Sequence, residues 1–509
     1  MNSKIYDSLI FIFFFIIIST YVILIQDISR HWTSNFDMEL MIAYNSILHM
    51  SSLRQEYLDH PTSIFFIIHS FFLKFLNIVN LFDIKNLDQL NNKDRSINDD
   101  LNSLIFMTRF FNIFLASFFA FIFYKILRQK VNFYISFIFT IIFLISTTFL
   151  DQASQVRSEL LCILFIFVGL YFLTEFLKNK NKGINLFLFF IFFYLSIFMK
   201  TQIMFYIPFL IFLPVYAINP NQKFNLLNIE YKFLDNKIVL LLFYILIFLL
   251  ILIFANKNHA SLLSKIFLLS FYLFLNLVFL LYLFVLKLKV TRNLFFFNII
   301  LLTSTSVFFI IFLLHPSTEG VSQKLFNFMY IKIFSNIPRD VDDITWISIL
   351  INKFFILIPE SLNSIFFKIN DYTILIYTLI FFTLIDLKHL DRKTLFSILI
   401  IISYVLFSKI ISNYRYDVIR YDIFFLPFLI LILVEVLSRS KKKITIYLLS
   451  ITILFSTILI NKNMIFKKQH PDEKINLFCT KVSLGYLDSW HRNLSYDKIN
   501  QFCLNNKMQ

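Results

Sequence analysis

Apolar runs of about 18 residues recur along the whole chain, and this repetition constrains the fold more than any motif does. A bilayer core about 30 Å thick asks for roughly 20 apolar residues per crossing helix. The runs predict an all-α membrane protein with about 13 transmembrane helices. They fall at about 8–25, 103–124, 131–149, 157–177, 184–199, 202–217, 237–255, 265–286, 293–314, 372–386, 394–408, 422–438 and 444–460. Composition agrees: 58% of the 509 residues are hydrophobic and 15% charged, against roughly 25% charged in soluble domains. The net charge of +16 would suit nucleic acid only if it were clustered on a soluble face. It falls instead in short turns, so no nucleic-acid partner is expected.

Those turns set the threading. With the N-terminus inside, alternate connections carry Lys125, Arg128 and Lys130, then Lys178, Lys180 and Lys182, then Lys287, Lys289 and Arg292. Later ones carry Lys388, Arg392 and Lys393, then Arg439 with Lys441 to Lys443. Cytoplasmic loops favour Lys and Arg. The outer segments are then 26–102, with ten acids against six bases, 150–156, 315–371, 409–421 and the tail 461–509. Residues 1–460 read as one polytopic domain and 461–509 as a small extracytoplasmic tail. The apolar stretch 62–82 contains His69 and Lys74. It reads as an interfacial helix, because a full crossing there would invert the charge pattern of every later turn. Leu9 to Ile25 has no small-residue cleavage site and reads as a retained anchor. Cys162 lies in an apolar run, whereas Cys479 and Cys503 share the tail and could pair in an oxidising compartment.

The chemistry-bearing residues gather in the outer segments. Asp37 and Glu39 open a stretch whose apolar residues Leu40, Met41, Ala43, Tyr44, Ile47 and Leu48 suit an amphipathic surface helix. Asp37 can be read as a helix cap or as a general base. Further on come Asp59-His60-Pro61, Gln155-Val156-Arg157-Ser158-Glu159, a helix break at Met199-Lys200-Thr201-Gln202, and Tyr414-Arg415-Tyr416 with Arg420-Tyr421 before Phe425-Leu426-Pro427. In this order the stretches resemble the GT-C class of membrane glycosyltransferases, in its protein mannosyltransferase and aminoarabinose transferase branch. The chain departs from that pattern where Met38 separates the two acids and where Thr62 follows His60-Pro61.

The resemblance implies a transferase that moves a sugar from a polyprenyl-phosphate donor to an acceptor hydroxyl on a glycan, lipid or protein. It implies a multi-pass bacterial inner-membrane protein, N-terminus cytoplasmic and C-terminus periplasmic. Asp37 and Glu39 would be the catalytic acids, with Asp37 taking the acceptor's proton. Asp59, His60, Arg157, Lys200, Arg415 and Arg420 would bind substrate or lipid phosphate. No cofactor is expected. A divalent metal on Asp37, Glu39, Asp59 or His60 is disfavoured, because the branch does not rely on one fixed cage. Two other classes stay open. A lipid-linked oligosaccharide flippase calls for charges in mid-span, and an O-antigen polymerase or ligase calls for arginines in a large late loop, where 315–371 has only Arg339.

The threading makes a direct prediction. Topology reporters fused after residues 95, 183 and 470 should read outside, inside and outside. An inside signal at 95 or 470 removes the outer-face assignment.

Overall fold

The computed structural model describes residues 3–57, 62–178, 183–197, 199, 355, 359, 371–386, 423–439, 443–466 and 474–507. The described elements are helical, with no strand among them. In chain order the longer helices are α1 (Ser3–Leu24), α2 (Met41–Met50), α3 (Ser63–Ile78), α4 (Leu87–Asn91), α5 (Ile97–Arg128) and α6 (Phe133–Leu144). There follow α7 (Thr147–Ser154), α8 (Ser158–Lys178), α9 (Gly183–Ile197), α10 (Asp371–Asp386), α11 (Leu426–Arg439), α12 (Lys443–Phe466), α13 (Ile475–Ser483), α14 (Tyr486–Trp490) and α15 (Tyr496–Lys507). Four of these helices are long and apolar enough to cross a membrane, or five if the bent pair α6–α7 is one span. Eight expected spans fall on helices. Those at 202–217, 237–255, 265–286, 293–314 and 394–408 lie outside the described residues.

Two compact units divide the chain, one of residues 1–57, 62–164 and 332–509, the other of 58–61 and 165–331. In the second, α9 packs on the later turns of α8. A Cβ at Gly169 would come within 3.1 Å of the Phe189 carbonyl oxygen, so glycine there eases the close approach of the two helices. α9 stops at Ile197 and Met199 closes a turn onto the Ser196 carbonyl, where the sequence predicts a break. Lys200 itself lies outside the described residues.

In the first unit the helix directions alternate as the charges require. Lys125 near the end of α5 pairs with Asp7 near the start of α1 at 2.8 Å. Lys130 reaches Glu435 near the end of α11 at 2.9 Å, and Asn132 before α6 bonds Tyr447 at the start of α12. The basic turn therefore gathers one end of five helices. At the other end Tyr21 of α1 donates to the Met464 carbonyl of α12, and Asn461 donates to the Ile145 carbonyl after α6. Ile5, Leu9, Ile12 and Ile16 of α1 and Leu448, Phe455 and Leu459 of α12 remain exposed. These are the faces that a bilayer would cover.

α5 is the central element. Ser96 caps it through the Asp99 N–H, and Asp99 and Asp100 complement its dipole at the start. Its 32 residues span about 48 Å, well beyond a bilayer core. The surplus rises into a cap, where Ile97, Leu101, Leu104 and Ile105 are buried with Trp32, Phe36, Leu40 and Tyr44 from one loop. Phe478, Val482, Tyr486 and Ile499 from the C-terminal tail complete that core. Residues 26–57, 62–102 and 474–507 thus lie at one end of these helices and share one apolar centre.

Within the cap α3 is a short apolar helix of 16 residues, about 24 Å long. His69 is buried and bonds Ser46 of α2 at 2.9 Å, while Phe71, Phe75 and Ile78 stay exposed on the other face. One expectation needs correction, and one expected span carries a bend. α2 is not a surface helix: apart from His49 its residues are all buried, Asn45 and Ser46 included. Asn45 and Ser46 are tolerated there because each bonds a carbonyl one turn back, and Asn45 also accepts from the N–H groups of Glu56 and Tyr57. The span at 131–149 is not straight, since α6 and α7 bend by 64°. Ser146 ends one helix and caps the next through the Phe149 N–H.

Cys479 of α13 and Cys503 of α15 are joined by a disulfide with 24 residues of separation. Such a loop adds about 3 kcal/mol on the chain-entropy model. Thermal unfolding of a Cys479→Ser/Cys503→Ser protein should show a less stable cap. An unchanged melting curve, or two free thiols by non-reducing mass spectrometry of protein from native membranes, removes that contribution.

Candidate functional site

The seam between the cap and the spans holds the candidate site. The chain leaves α1, passes a 3-10 turn at Trp32–Asn35 and enters a single π-type turn at Phe36–Leu40. Asp37 and Glu39 sit two residues apart on that turn and meet different surroundings.

Glu39 is fully buried. Its Oε2 accepts from Arg109 Nη2 at 2.7 Å and from Nε at 3.1 Å, and its Oε1 accepts from Arg30 Nη2 at 2.8 Å. Burial alone would raise the Glu39 pKa, but the Arg109 and Arg30 charges outweigh it and hold the carboxyl below its ordinary value. The two guanidiniums also collect backbone carbonyls. Arg109 donates to those of Ile28 and Arg30, and Arg30 to that of Ser154. From the turn after α7, Val156 N–H points to Glu39 Oε1 at 3.5 Å. One turn along α5, Asn112 donates to the carbonyls of Gln152, Ala153 and Gln155. Buried Glu39 thus ties together the first loop, α5 and the 152–157 turn.

Asp37 faces the tail. Lys481, in the last turn of α13, bonds both its carboxylate oxygens at 2.9 and 3.0 Å. The same ammonium lies 4.9 Å from the centre of the Phe36 ring and 5.9 Å from that of Tyr486, within cation–π range. The Asp37 side chain keeps 48% exposure, against 0% for Glu39. That difference separates an acid open to solvent from one that is closed to it.

The other sequence-predicted residues divide as follows. Arg157 is nearly buried on the 152–157 turn, where its guanidinium donates to Gln155 Oε1 at 2.6 and 3.1 Å. Gln155 in turn donates to Asp151 at 2.9 Å. Glu159 is buried in the first turn of α8. Asp59, His60, Lys200, Arg415 and Arg420 lie outside the described residues. Among the described residues no three His, Cys, Asp or Glu side chains form a group able to hold a metal.

Sequence reasoning missed Arg30, Arg109, Asn112 and Lys481. Arg109 carried a signal, as the single charged residue in the run 103–124. An ionisable group there needs a partner, and Glu39 is that partner. Nothing local marks Lys481. Comparison with family models, with curated proteins and with solved structures finds no match for the chain.

Removing one member of a buried pair strands the other charge at a cost of about 3–5 kcal/mol. Arg109→Met should therefore lower thermal stability strongly, and Glu39→Leu/Arg30→Met/Arg109→Met, which removes all three charges, should recover much of the loss. Because the folded Glu39 pKa is depressed, its contribution is present above the ordinary carboxylate range of about 4.3 and is lost as pH falls through the folded value. Equal melting of wild type and Arg109→Met would contradict the buried clamp.

Proposed function

We propose that the protein is a membrane glycosyltransferase that moves a sugar from a polyprenyl-phosphate donor to an acceptor hydroxyl at the outer face of the membrane. The observation that carries the reading is the accessible Asp37 carboxylate, mounted at the cap–span seam beside a buried acid that is fixed in place. A lipid-anchored donor and a water-borne acceptor can meet only at such a boundary. The tail disulfide fits an oxidising compartment and supports the outer face. The proposed setting is a bacterial inner membrane, with the N-terminus cytoplasmic and the C-terminus periplasmic.

In this mechanism Asp37 accepts the proton of the acceptor hydroxyl as its oxygen attacks the anomeric carbon. The bond from that carbon to the phosphate oxygen breaks, and the lipid phosphate leaves with the electron pair. Attack opposite the leaving group inverts the anomeric centre. Cations are needed where the phosphate charge develops, and guanidinium forks suit phosphate geometry. Arg157 is the described candidate, and Lys200, Arg415 and Arg420 complete the proposed set. Asp59 and His60 are assigned to substrate contact. Glu39 is a positioning residue, since its oxygens are occupied by Arg30 and Arg109. No metal or cofactor is assigned.

Asp37→Asn keeps the shape and removes the base. Turnover should fall by roughly 10²–10⁴-fold, with expression and lipid binding close to wild type. Glu39→Gln should act through stability more than through kcat. Full turnover by Asp37→Asn in a folded protein would overturn the mechanism.

A further inference from the structure

A concave site lies in the cap, with Asp37 not among its lining residues. It is a cleft of about 730 Å³ between the Lys93–Asn98 segment, which leads into α5, and α15 of the tail. That volume is ordinary for a small-molecule site, and its lining is unusually rich in side-chain amides. Asp497, Gln501 and Asn505 fall at i, i+4 and i+8 along α15 and form one polar row. Lys498, Phe502 and Asn506 form the next row. Opposite them stands Asn98. Its carbonyl oxygen already accepts from His31 Nε2 and Trp32 Nε1 at 2.8 and 2.9 Å, so the group it has left to offer is the amide NH2. Behind the amides the His31 ring lies parallel to Phe502 at 6.3 Å, a flat apolar strip in an otherwise polar wall.

The charges in the cleft are largely committed to the walls. Arg95 is clamped by Asp100 through bonds of 2.7 to 3.1 Å. Lys498 Nζ donates to the carbonyls of Leu90 and Asn92 at 3.0 and 2.8 Å. Lys93 and Lys498 are then balanced by Asp94 and Asp497, with no excess of positive charge for an anion. Amides and carboxylates that donate and accept over an aromatic strip match a ligand with many hydroxyls and apolar C–H faces.

We infer that this cleft binds a neutral oligosaccharide, independently of whether Asp37 transfers a sugar. The test uses the full-length protein in lipid nanodiscs with its disulfide intact. Saturation-transfer NMR and calorimetry would be run with gluco-, manno-, galacto- and N-acetylglucosamine trisaccharides, and with inorganic phosphate as competitor. At least one trisaccharide should bind saturably, and excess phosphate should not displace it. Gln501 and Asn505 are exposed on α15, so Gln501→Ala/Asn505→Ala should leave the melting curve unchanged and weaken binding by roughly tenfold or more. Asp497→Asn, which preserves shape, gives a second reading in the same direction. Leu504→Ala, on the same helix outside the cleft, should bind as wild type does. No binding by any of the four sugars, equal binding by the cleft variants, or displacement by phosphate would each overturn the assignment. Transfer activity is measured separately with Asp37→Asn, so loss of one function does not decide the other.

Discussion

The carboxylate of Glu39 is the fixed point of the described structure. A charge with no solvent contact survives only where opposite charge and hydrogen bonds replace water. Two arginines from different elements meet that demand, Arg30 from the loop after α1 and Arg109 from inside α5. Each then carries spare N–H groups that must also be satisfied, and these take up the carbonyls of Ile28, Arg30 and Ser154. One buried acid therefore specifies the path of three chain segments. The backbone at 28–40, a turn followed by one 3-10 and one π turn, is ordered by this demand.

The cap follows from the length of α5. A helix about 48 Å long leaves about three turns beyond a bilayer core, and their apolar residues must be buried by something. The loop at 32–50 covers one side and the C-terminal tail another, with Trp32 and Phe36 packed edge-on against Phe478 at 4.7 and 5.1 Å. Short polar contacts then register the tail on the loop. Asn91 donates to the Asn493 carbonyl, and the Tyr44 hydroxyl and Glu56 receive the N–H groups of Asn493 and Arg492. Chain segments some 400 residues apart in sequence form one small folded body at the end of the helices.

Much of this was legible in the sequence, for reasons that do not depend on partners. The apolar helices at eight of the expected positions were visible because an apolar run must be buried in lipid or protein whatever it touches. The helix directions were visible because Lys125, Lys130 and their like mark one end regardless of packing. α3 falls where the sequence places an apolar helix interrupted by His69 and Lys74. The misreadings have a common cause. α2 looks amphipathic because Asn45, Ser46 and His49 punctuate it, but the first two are satisfied inside the protein by groups far along the chain or one turn back. The Ser146-Thr147-Thr148 kink was a capping signal hidden in an apolar run. Lys481 could not be found at all, since its partner lies 444 residues away. Arg109 could have been found, by asking which acid neutralises the lone charge in that run.

The two acids of the π turn differ in strength of attachment as much as in exposure. Glu39 is held by several charge-assisted bonds in a dry setting, where breaking one partner costs several kcal/mol. Asp37 is held by one ammonium in a pair that is partly open to water, and such pairs contribute about 0.2–1 kcal/mol. A polar ligand can replace Lys481 at Asp37 for little free energy, and Lys481 still keeps the Phe36 and Tyr486 ring faces. The backbone beneath does not have to move, because Glu39 two residues away is anchored to α5. A yielding contact set on a rigid mount lets a carboxylate change partners without losing its position.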